Sequence, residues 1–218
     1  MAFNGWPATM TAFYDDLEIS NTKEWWSAHK AAYDADVRAP MEALIAAVGD
    51  EFGEAKLFRP YRDVRFSADK TPYKLECGAM FGSTAGTGFY ARVSAAGIGA
   101  GGGMHTMAAD QLGRYRAAID DDRSGAQAAA LVADLEAAGY MLHGEALKTA
   151  PRGYPKDHPR IDLLRRRGLF WFRESASKKI VHSAKALDWV TETFRAGKGL
   201  IGWLDDHVGP STADTRRR

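Results

Sequence analysis

Positively charged side chains are concentrated in residues 58–74, the run FRPYRDVRFSADKTPYK. Arginine binds carboxylate or phosphate in a bidentate manner, and lysine adds a compact point charge. Tyr61 and Phe66 lie within the run and indicate a folded segment rather than a solvated basic tail. We therefore predict an anion site here, with either Tyr73 or Tyr154 orienting the ligand. The predicted ligand-binding residues of this segment are Arg62, Arg65, Lys70, Tyr73 and Lys74.

A second segment with ligand-binding character is residues 148–160, KTAPRGYPKDHPR, a proline-rich loop that leads into a short helix. The free N–H groups at such a helix start favour an anion. Arg152 and Tyr154 are predicted to join the ligand site, which requires that the two segments meet in space. His158 and Asp157 are the only nearby candidates for a general acid or base. Either of them could instead cap the helix.

Three interpretations of the basic residues stay open. The first is a small anionic ligand bearing phosphate or carboxylate. The second is a structural or scaffolding protein whose basic stretch is an internal ion-pair network with helix carboxylates such as Asp15, Glu18 and Asp50. Exposed pairs of that kind contribute only about 0–1 kcal/mol each. The third is a weak nucleic-acid binder that stacks bases on exposed aromatic side chains.

Composition and motif spacing limit the chemistry. A net charge of +1 over 218 residues makes a general nucleic-acid partner unlikely. The single cysteine, Cys77, excludes an intramolecular disulfide, and the six histidines lack zinc-binding spacing. The glycine run 95–105, AAGIGAGGGMH, matches neither nucleotide-binding motif in register, and a strand with close backbone approach is expected instead. No metal or cofactor is predicted, and whether a reaction is catalysed stays open.

The elements that position these residues begin with three amphipathic helices. Asn21 is predicted to cap the second, and Pro40 to start the third. The hydrophobic period then changes from 3.6 to 2. Within the first predicted strand, Val64 and Phe66 share one face and are expected to point to the core. The strands predicted from this alternation cover residues 58–67, 75–81, 89–95 and 98–104.

The second half of the chain alternates helices with two further predicted strands, at residues 140–147 and 168–172. Asp120 to Asp122 are expected to cap a helix rather than bind metal, and Gly139 to end it. Together the elements predict one α+β domain over residues 1–209, with a mostly antiparallel sheet flanked by amphipathic helices. Residues 210–218 are predicted to be a disordered C-terminal tail.

Location follows from what the sequence lacks. The opening residues MAFNGWPATM carry no signal-peptide pattern. No apolar run approaches the roughly 20 residues that span a bilayer. A cytoplasmic protein with no membrane partner is expected, and its oligomeric state is left open.

The sequence resembles a protein family found in bacteria and fungi and known as domain of unknown function 2461. The resemblance is carried by the run at residues 58–74, the GIGAGGGM stretch before a helix and the motif PRGYPKDHP. The segment NTKEWW at residues 21–26 is similar to the opening signature of that family. The resemblance covers residues 13 to about 204 and implies a single domain. It implies no activity, cofactor or catalytic residue. His105 departs from the pattern, since the family more often has other residues there.

Overall fold

The computed structural model describes residues 2–82 and 86–212 and has an α+β fold, as predicted. Its six strands form one antiparallel sheet in the order β1-β2-β3-β4-β6-β5. The strands are β1 (Ala55–Leu57), β2 (Glu76–Phe81), β3 (Gly88–Ser94), β4 (Gly97–Met104), β5 (Met141–His143) and β6 (Leu169–Ser175). The α-helices are α1 (Ala8–Ile19), α2 (Lys23–Ala32), α3 (Ala39–Phe52), α4 (Ala109–Asp120), α5 (Asp122–Ala137), α6 (Ile161–Leu164), α7 (Lys178–Val181), α8 (Lys185–Ala196) and α9 (Lys198–His207).

The chain divides into two compact units. The first comprises Met1–Gly82, Tyr90–Ala100 and Glu174–Glu192, and the second comprises Ser83–Phe89, Gly101–Arg173 and Thr193–Arg218. One domain over residues 1–209 stays a prediction. The predicted tail lies partly outside the described residues, which end at Thr212. In the described part, Ser211 and Thr212 donate hydrogen bonds to Asp110 of α4.

In the first unit, α2 continues into α3 through a six-residue π-helix, Tyr33–Arg38. Pro40 is the second residue of α3, so the predicted start is confirmed to within one residue. The predicted cap of α2 was off by one position. Thr22 accepts a hydrogen bond from the backbone of Trp25, whereas Asn21 bonds elsewhere.

The core of the first unit lies between these helices and β2. The apolar stripe of α1 is buried, and the alternating residues of β2, including Cys77, are buried as the sequence predicts. The buried core positions are Met10, Phe13, Tyr14 and Leu17 in α1, Met41, Leu44, Val48 and Phe52 in α3, and Cys77, Ala79 and Phe81 in β2. This packing fixes the face of α2 that carries Trp26.

The prediction of a strand at residues 58–67 is wrong. Tyr61 and Tyr73 form a single antiparallel bridge, and no named strand lies between β1 and β2. Pro60 cannot donate to a ladder, and the Asp63 and Asp69 side chains accept bonds from backbone N–H groups two residues on. Phe66, expected to face the core, is 97% exposed. The Asp69 turn itself was predicted and is present.

The second unit confirms the glycine strand. A Cβ at Gly101 would lie 2.0 Å from the carbonyl oxygen of Trp171, so the two backbones can approach only without a side chain. Asp121 caps α5, and Gly139 follows its end with φ +83°. The predicted strand 140–147 is shortened to β5, because Gly144 takes φ +129° directly after it. Among the described residues, no helix has both the length and the apolar character to cross a membrane.

Candidate functional site: a basic loop and an aromatic pocket

Residues 61–73, here called the basic loop, lie between β1 and β2, and the two ends of the loop are joined to each other. The loop is closed by backbone bonds from Arg62 N–H to the Pro72 carbonyl and from Lys74 N–H to the Pro60 carbonyl, both 2.8 Å. Asn21 binds the closing end, since its amide donates to the Tyr73 carbonyl at 3.0 Å and accepts from the Tyr73 N–H at 3.1 Å. The residue expected to cap α2 therefore anchors the basic loop.

Most charges of the basic loop are paired within the loop. Arg65 donates two bonds to the Asp63 carboxylate, at 2.9 and 2.6 Å. Arg62 binds Asp69 and the Thr71 hydroxyl. Lys70 Nζ donates to the Val64 carbonyl at 2.9 Å.

These bonds lower the pKa of two carboxyl groups. The pKa of Asp63 falls to about 2, chiefly through the hydrogen bonds from the Arg65 side chain and backbone. The pKa of Asp69 also falls to about 2, first through the Thr71 N–H and then through Arg62. The partners of the loop arginines are thus near in sequence, and not the helix carboxylates named above.

Two cations beside the loop lack a carboxylate partner among the described residues. Lys74 lies with its ammonium 5.4 Å from the centroid of the Phe58 ring, a cation–π contact. Arg59 is exposed and is within ion-pair distance of no described carboxylate. Arg59 belongs to the basic run at residues 58–74, although it was not among the predicted ligand residues.

Arg59 lines a cavity of about 330 Å³, here called the aromatic pocket. The pocket is formed by α2, the π-helix and the segment that enters the basic loop. Four aromatic side chains and three cations contribute to its wall. The lining residues are Trp26, Lys30, Tyr33, Asp34, Arg38, Leu57, Phe58, Arg59, Pro60 and Tyr61.

The π-helix sets the composition of this wall, because it supplies Tyr33, Asp34 and Arg38. A π-helix is rare, and it is frequently found at functional sites. Two of the cations are already paired on the helix surface. Lys30 binds Asp34, and Arg38 Nε donates to Glu42 at 2.8 Å. Arg59 is therefore the cation of the pocket that makes no ion pair with a described carboxylate, and Asp63 interacts with it only at longer range.

Trp26 forms the buried part of the pocket. It is 3% exposed and stacks on Tyr73 with ring centroids 4.1 Å apart and an interplanar angle of 7°. Its indole Nε1–H is buried and has no acceptor among the described residues. A buried donor without a partner is uncommon in native proteins and costs about 1–3 kcal/mol. Tyr73, predicted to orient a ligand, lies buried against this ring.

The buried thiol near the pocket is not a nucleophile. Burial raises the pKa of Cys77 to about 11, so the thiol stays protonated at neutral pH. The Tyr33 hydroxyl lies 3.8 Å from Cys77 Sγ, and burial raises the pKa of Tyr33 as well. Among the described residues, no group of three or more His, Cys, Asp or Glu side chains could hold a metal ion.

The second predicted segment, residues 148–160, belongs to the second unit, and the basic loop belongs to the first. A shared ligand site therefore stays a prediction. Arg152 and Asp157 are exposed, and Tyr154 is half-buried. His158 has both ring nitrogens engaged. Nε2 lies 3.2 Å from Asp120 Oδ1, and Nδ1 accepts from the Arg160 N–H at 3.0 Å.

Sequence reasoning missed Trp26, Tyr33, Arg38 and Arg59 as pocket residues. Lys30, Asp34 and Arg38 recur every four residues, which places them along one face of a helix. That spacing was an available signal for part of the wall. Neither the 3.6-residue helix period nor the 2-residue strand period predicts the contact of this face with residues 57–61, because the contact joins residues far apart in sequence.

Comparison with known proteins identifies a family for the chain. Residues 9–203 match the model of a protein family described as Conserved hypothetical protein (DUF2461). No curated protein and no solved structure matches the chain. The family is the one that the sequence motifs resemble.

Proposed function

Since the chain belongs to the family described as Conserved hypothetical protein (DUF2461), we propose, as a function for this member, the binding of a small anionic ligand in the aromatic pocket. One observation carries the proposal. Arg59, which has no ion pair with a described carboxylate, lines a cavity whose wall also holds four aromatic side chains. A guanidinium in that position offers up to five N–H donors to an anion. No described acidic side chain lies within ion-pair distance of these donors.

The pocket wall indicates the class of ligand. Trp26, Tyr33, Phe58 and Tyr61 provide ring faces for a planar or apolar body. Arg59 supplies the counter-charge for a carboxylate or phosphate on that body. Ligand pockets commonly combine such apolar walls with a few polar groups that fix orientation. The proposed ligand is therefore a small acid with a planar ring, and no reaction is proposed.

A thermal-shift screen against anions tests this function. The panel holds phosphate, sulfate, dicarboxylates, sugar phosphates, mononucleotides and aromatic carboxylates. A ligand that binds only the native state, at about 100 times its dissociation constant, stabilises by about 2.7 kcal/mol. This corresponds to a rise of several degrees in Tm for a chain of this size. Ring-bearing anions are expected to give the largest rise.

Matched arginine variants locate the response. Arg59→Gln removes the charge from the pocket wall and is expected to abolish the shift. Arg123→Gln removes an exposed charge from α5, in the other unit. This variant is expected to show the same rise in Tm as the parent protein. The proposal is rejected if no anion raises Tm, or if both variants respond like the parent protein.

Weak binding of single-stranded nucleic acid is a second candidate, favoured by the tip of the basic loop. Phe66 is 97% exposed, and the Arg65 guanidinium lies 6.0 Å from its ring centroid. Such a ring can stack a base while nearby cations contact phosphate. This function requires that binding of an oligonucleotide is lost in Phe66→Ala and weakens steeply with salt. Binding that is insensitive to both changes contradicts it.

A further inference from the structure

A second cavity lies wholly within the second unit and shares no residue with the aromatic pocket. Its volume is about 530 Å³, and we call it the arginine pocket. It is formed by one side of α5, by β5 and the residues that follow it, and by the segment around α6. The lining residues are Ala129, Val132, Ala133, Glu136, Leu142, Ala146, Leu147, Pro159, Arg160, Asp162, Leu163, Arg165 and Arg166.

The floor of the arginine pocket is apolar. Small residues of α5, Ala129 and Ala133, leave space that larger side chains would fill. Leu142, Leu147 and Leu163 complete the floor. Covering an apolar surface of this kind with a hydrocarbon chain is favourable, because apolar area is removed from water.

The rim of the pocket carries three arginines that differ in their partners. Arg160 donates to the carbonyl oxygens of Ile119 and Asp120, at 2.7 and 2.8 Å, so its donors are used within the fold. Arg165 contacts Asp162 at 3.5 Å, a long ion pair. Arg166 has no ion pair with any described carboxylate.

Two donors at the rim are buried without an acceptor. The Nε–H groups of Arg165 and Arg166 are both inaccessible to solvent and have no hydrogen-bond partner among the described residues. Guanidinium donors favour charged acceptors, and such bonds contribute about 1.5–3 kcal/mol. Because water cannot reach these two Nε atoms, a ligand in the cavity would contact the outer Nη groups of the same side chains, and the charge of Arg166, which has no ion pair among the described residues, favours an anionic group.

The charge balance at the rim limits that group to one negative charge. Arg160 pairs with Asp122 at 3.2 Å and Arg165 with Asp162 at 3.5 Å, so Arg166 is the one rim arginine without an ion pair among the described residues. A ligand with several negative charges would be repelled by Glu136 and Asp162. An anion without an apolar part would leave the floor uncovered.

We propose that the arginine pocket binds an amphipathic monoanion, namely a monocarboxylate with an unbranched hydrocarbon chain. The carboxylate is held by Arg165 and Arg166, and the chain lies over the floor formed by α5 and the three leucines. This site is independent of the aromatic pocket, so either one can fail without the other.

Calorimetric titration of the full chain with acetate, butanoate, hexanoate and octanoate tests the proposal. Affinity is expected to rise by up to about fourfold for each CH₂ group that the floor buries. Octanol, which has the same chain and no charge, is expected to bind at least tenfold more weakly than octanoate. Equal binding of acetate and octanoate, or of octanoate and octanol, overturns the proposal. Absence of octanoate binding also overturns it.

Neighbouring arginines provide matched variants. Arg166→Gln is expected to weaken octanoate binding tenfold or more. Arg167→Gln removes the adjacent exposed arginine, which pairs with Glu145 and does not line the pocket, and is expected to bind like the parent. Equal losses in both variants reject the assignment of the carboxylate to this rim.

A floor variant keeps the test decisive if Arg166→Gln fails to fold. Ala133 is exposed on α5 and lines the pocket, so Ala133→Glu blocks the floor with a charge without disturbing the core. Ala137→Glu places the same residue one turn later, outside the pocket. Only Ala133→Glu is expected to lose octanoate binding, and unchanged binding rejects the site. Arg59→Gln, which tests the aromatic pocket, is expected to leave octanoate binding unchanged.

Discussion

The basic loop and the segment at residues 160–167, here called the arginine segment, each carry several cations but use them differently. In the basic loop, Arg65 pairs with Asp63 two residues away, and Arg62 pairs with Asp69 seven residues away. In the arginine segment, Arg160 binds the end of α4, about 40 residues away in sequence. Charge density alone therefore does not distinguish a self-paired turn from a tertiary contact.

The difference has an energetic consequence. The Arg65 side chain is 76% exposed, so its bonds to Asp63 replace bonds to water at little gain. The Arg160 side chain is 13% exposed and donates to carbonyl groups that α4 itself leaves unsatisfied. Cations at a helix C-terminus also interact favourably with the helix dipole. The arginine segment should therefore stabilise the fold more than the basic loop does.

The largest expected effect is the loss of stability on replacing Arg160. Arg160→Ala should lower the free energy of unfolding by about 2–3 kcal/mol, because carbonyl groups at the end of α4 lose a charged donor in a half-buried position. Urea denaturation followed by far-UV circular dichroism measures this change. Arg123→Ala, an exposed position on α5, serves as the control. A loss no larger than in the control would remove the distinction between the two regions.

Asn21→Ala should have the next largest effect, because the basic loop is anchored by this side chain rather than by its ion pairs. The variant leaves the N–H and carbonyl of Tyr73 without their present partners. The expected cost is about 1–2 kcal/mol of unfolding free energy. Asn21→Asp keeps the acceptor for the N–H and loses the donor, so it should fall between the parent and Asn21→Ala. Equal stability of all three proteins would contradict this role of Asn21.

Local patterns in the sequence predicted much of the fold. The apolar stripe of α1, the alternation around Cys77 and the glycine positions of β4 each specify one element without reference to distant residues. Gly101 is an example, because its spacing predicted the close approach that Trp171 confirms. The α+β class and the antiparallel sheet follow from the same patterns.

The sequence did not predict features that depend on competition or on distant contacts. Val64 and Phe66 alternate as in a strand, but Pro60 and the aspartate turns take the backbone out of the ladder. The aromatic pocket requires Trp26 to meet residues 57–61, a long-range contact that no periodicity encodes. In the arginine segment, only the structure reveals which guanidinium donors lack an acceptor.

Removal of the outer ion pair of the basic loop should leave stability unchanged. Arg65→Ala breaks the pair with Asp63 in a fully solvated position. We expect the midpoint of urea denaturation to coincide with that of the parent protein, since exposed pairs contribute little. A marked loss of stability in Arg65→Ala would favour the interpretation of the basic residues as an ion-pair framework. It would also show that the basic loop and the arginine segment are alike.

The last expected effect is a local change in acid titration within the basic loop. The pKa of Asp69 is lowered from 3.8 to about 2, first by the Thr71 N–H and then by Arg62. Because the folded-state pKa lies below the unfolded value, the interaction stabilises above pH 4 and is lost as the pH falls towards 2. Arg62→Gln should raise the pKa of Asp69 only part of the way to 3.8, because the Thr71 bond persists.

Carboxyl ¹³C NMR titration of the two aspartates separates the pairs of the loop. Arg62→Gln should shift the Asp69 titration and leave Asp63 unchanged, whereas Arg65→Gln should do the reverse. Independent shifts would mean that the loop holds two separate local pairs. If either variant shifts both carboxyl groups, or if Asp69 titrates near 3.8 in the parent protein, the loop charges are not held in the pairs described. They would then be available to an external anion, as Arg165 and Arg166 of the arginine segment are proposed to be.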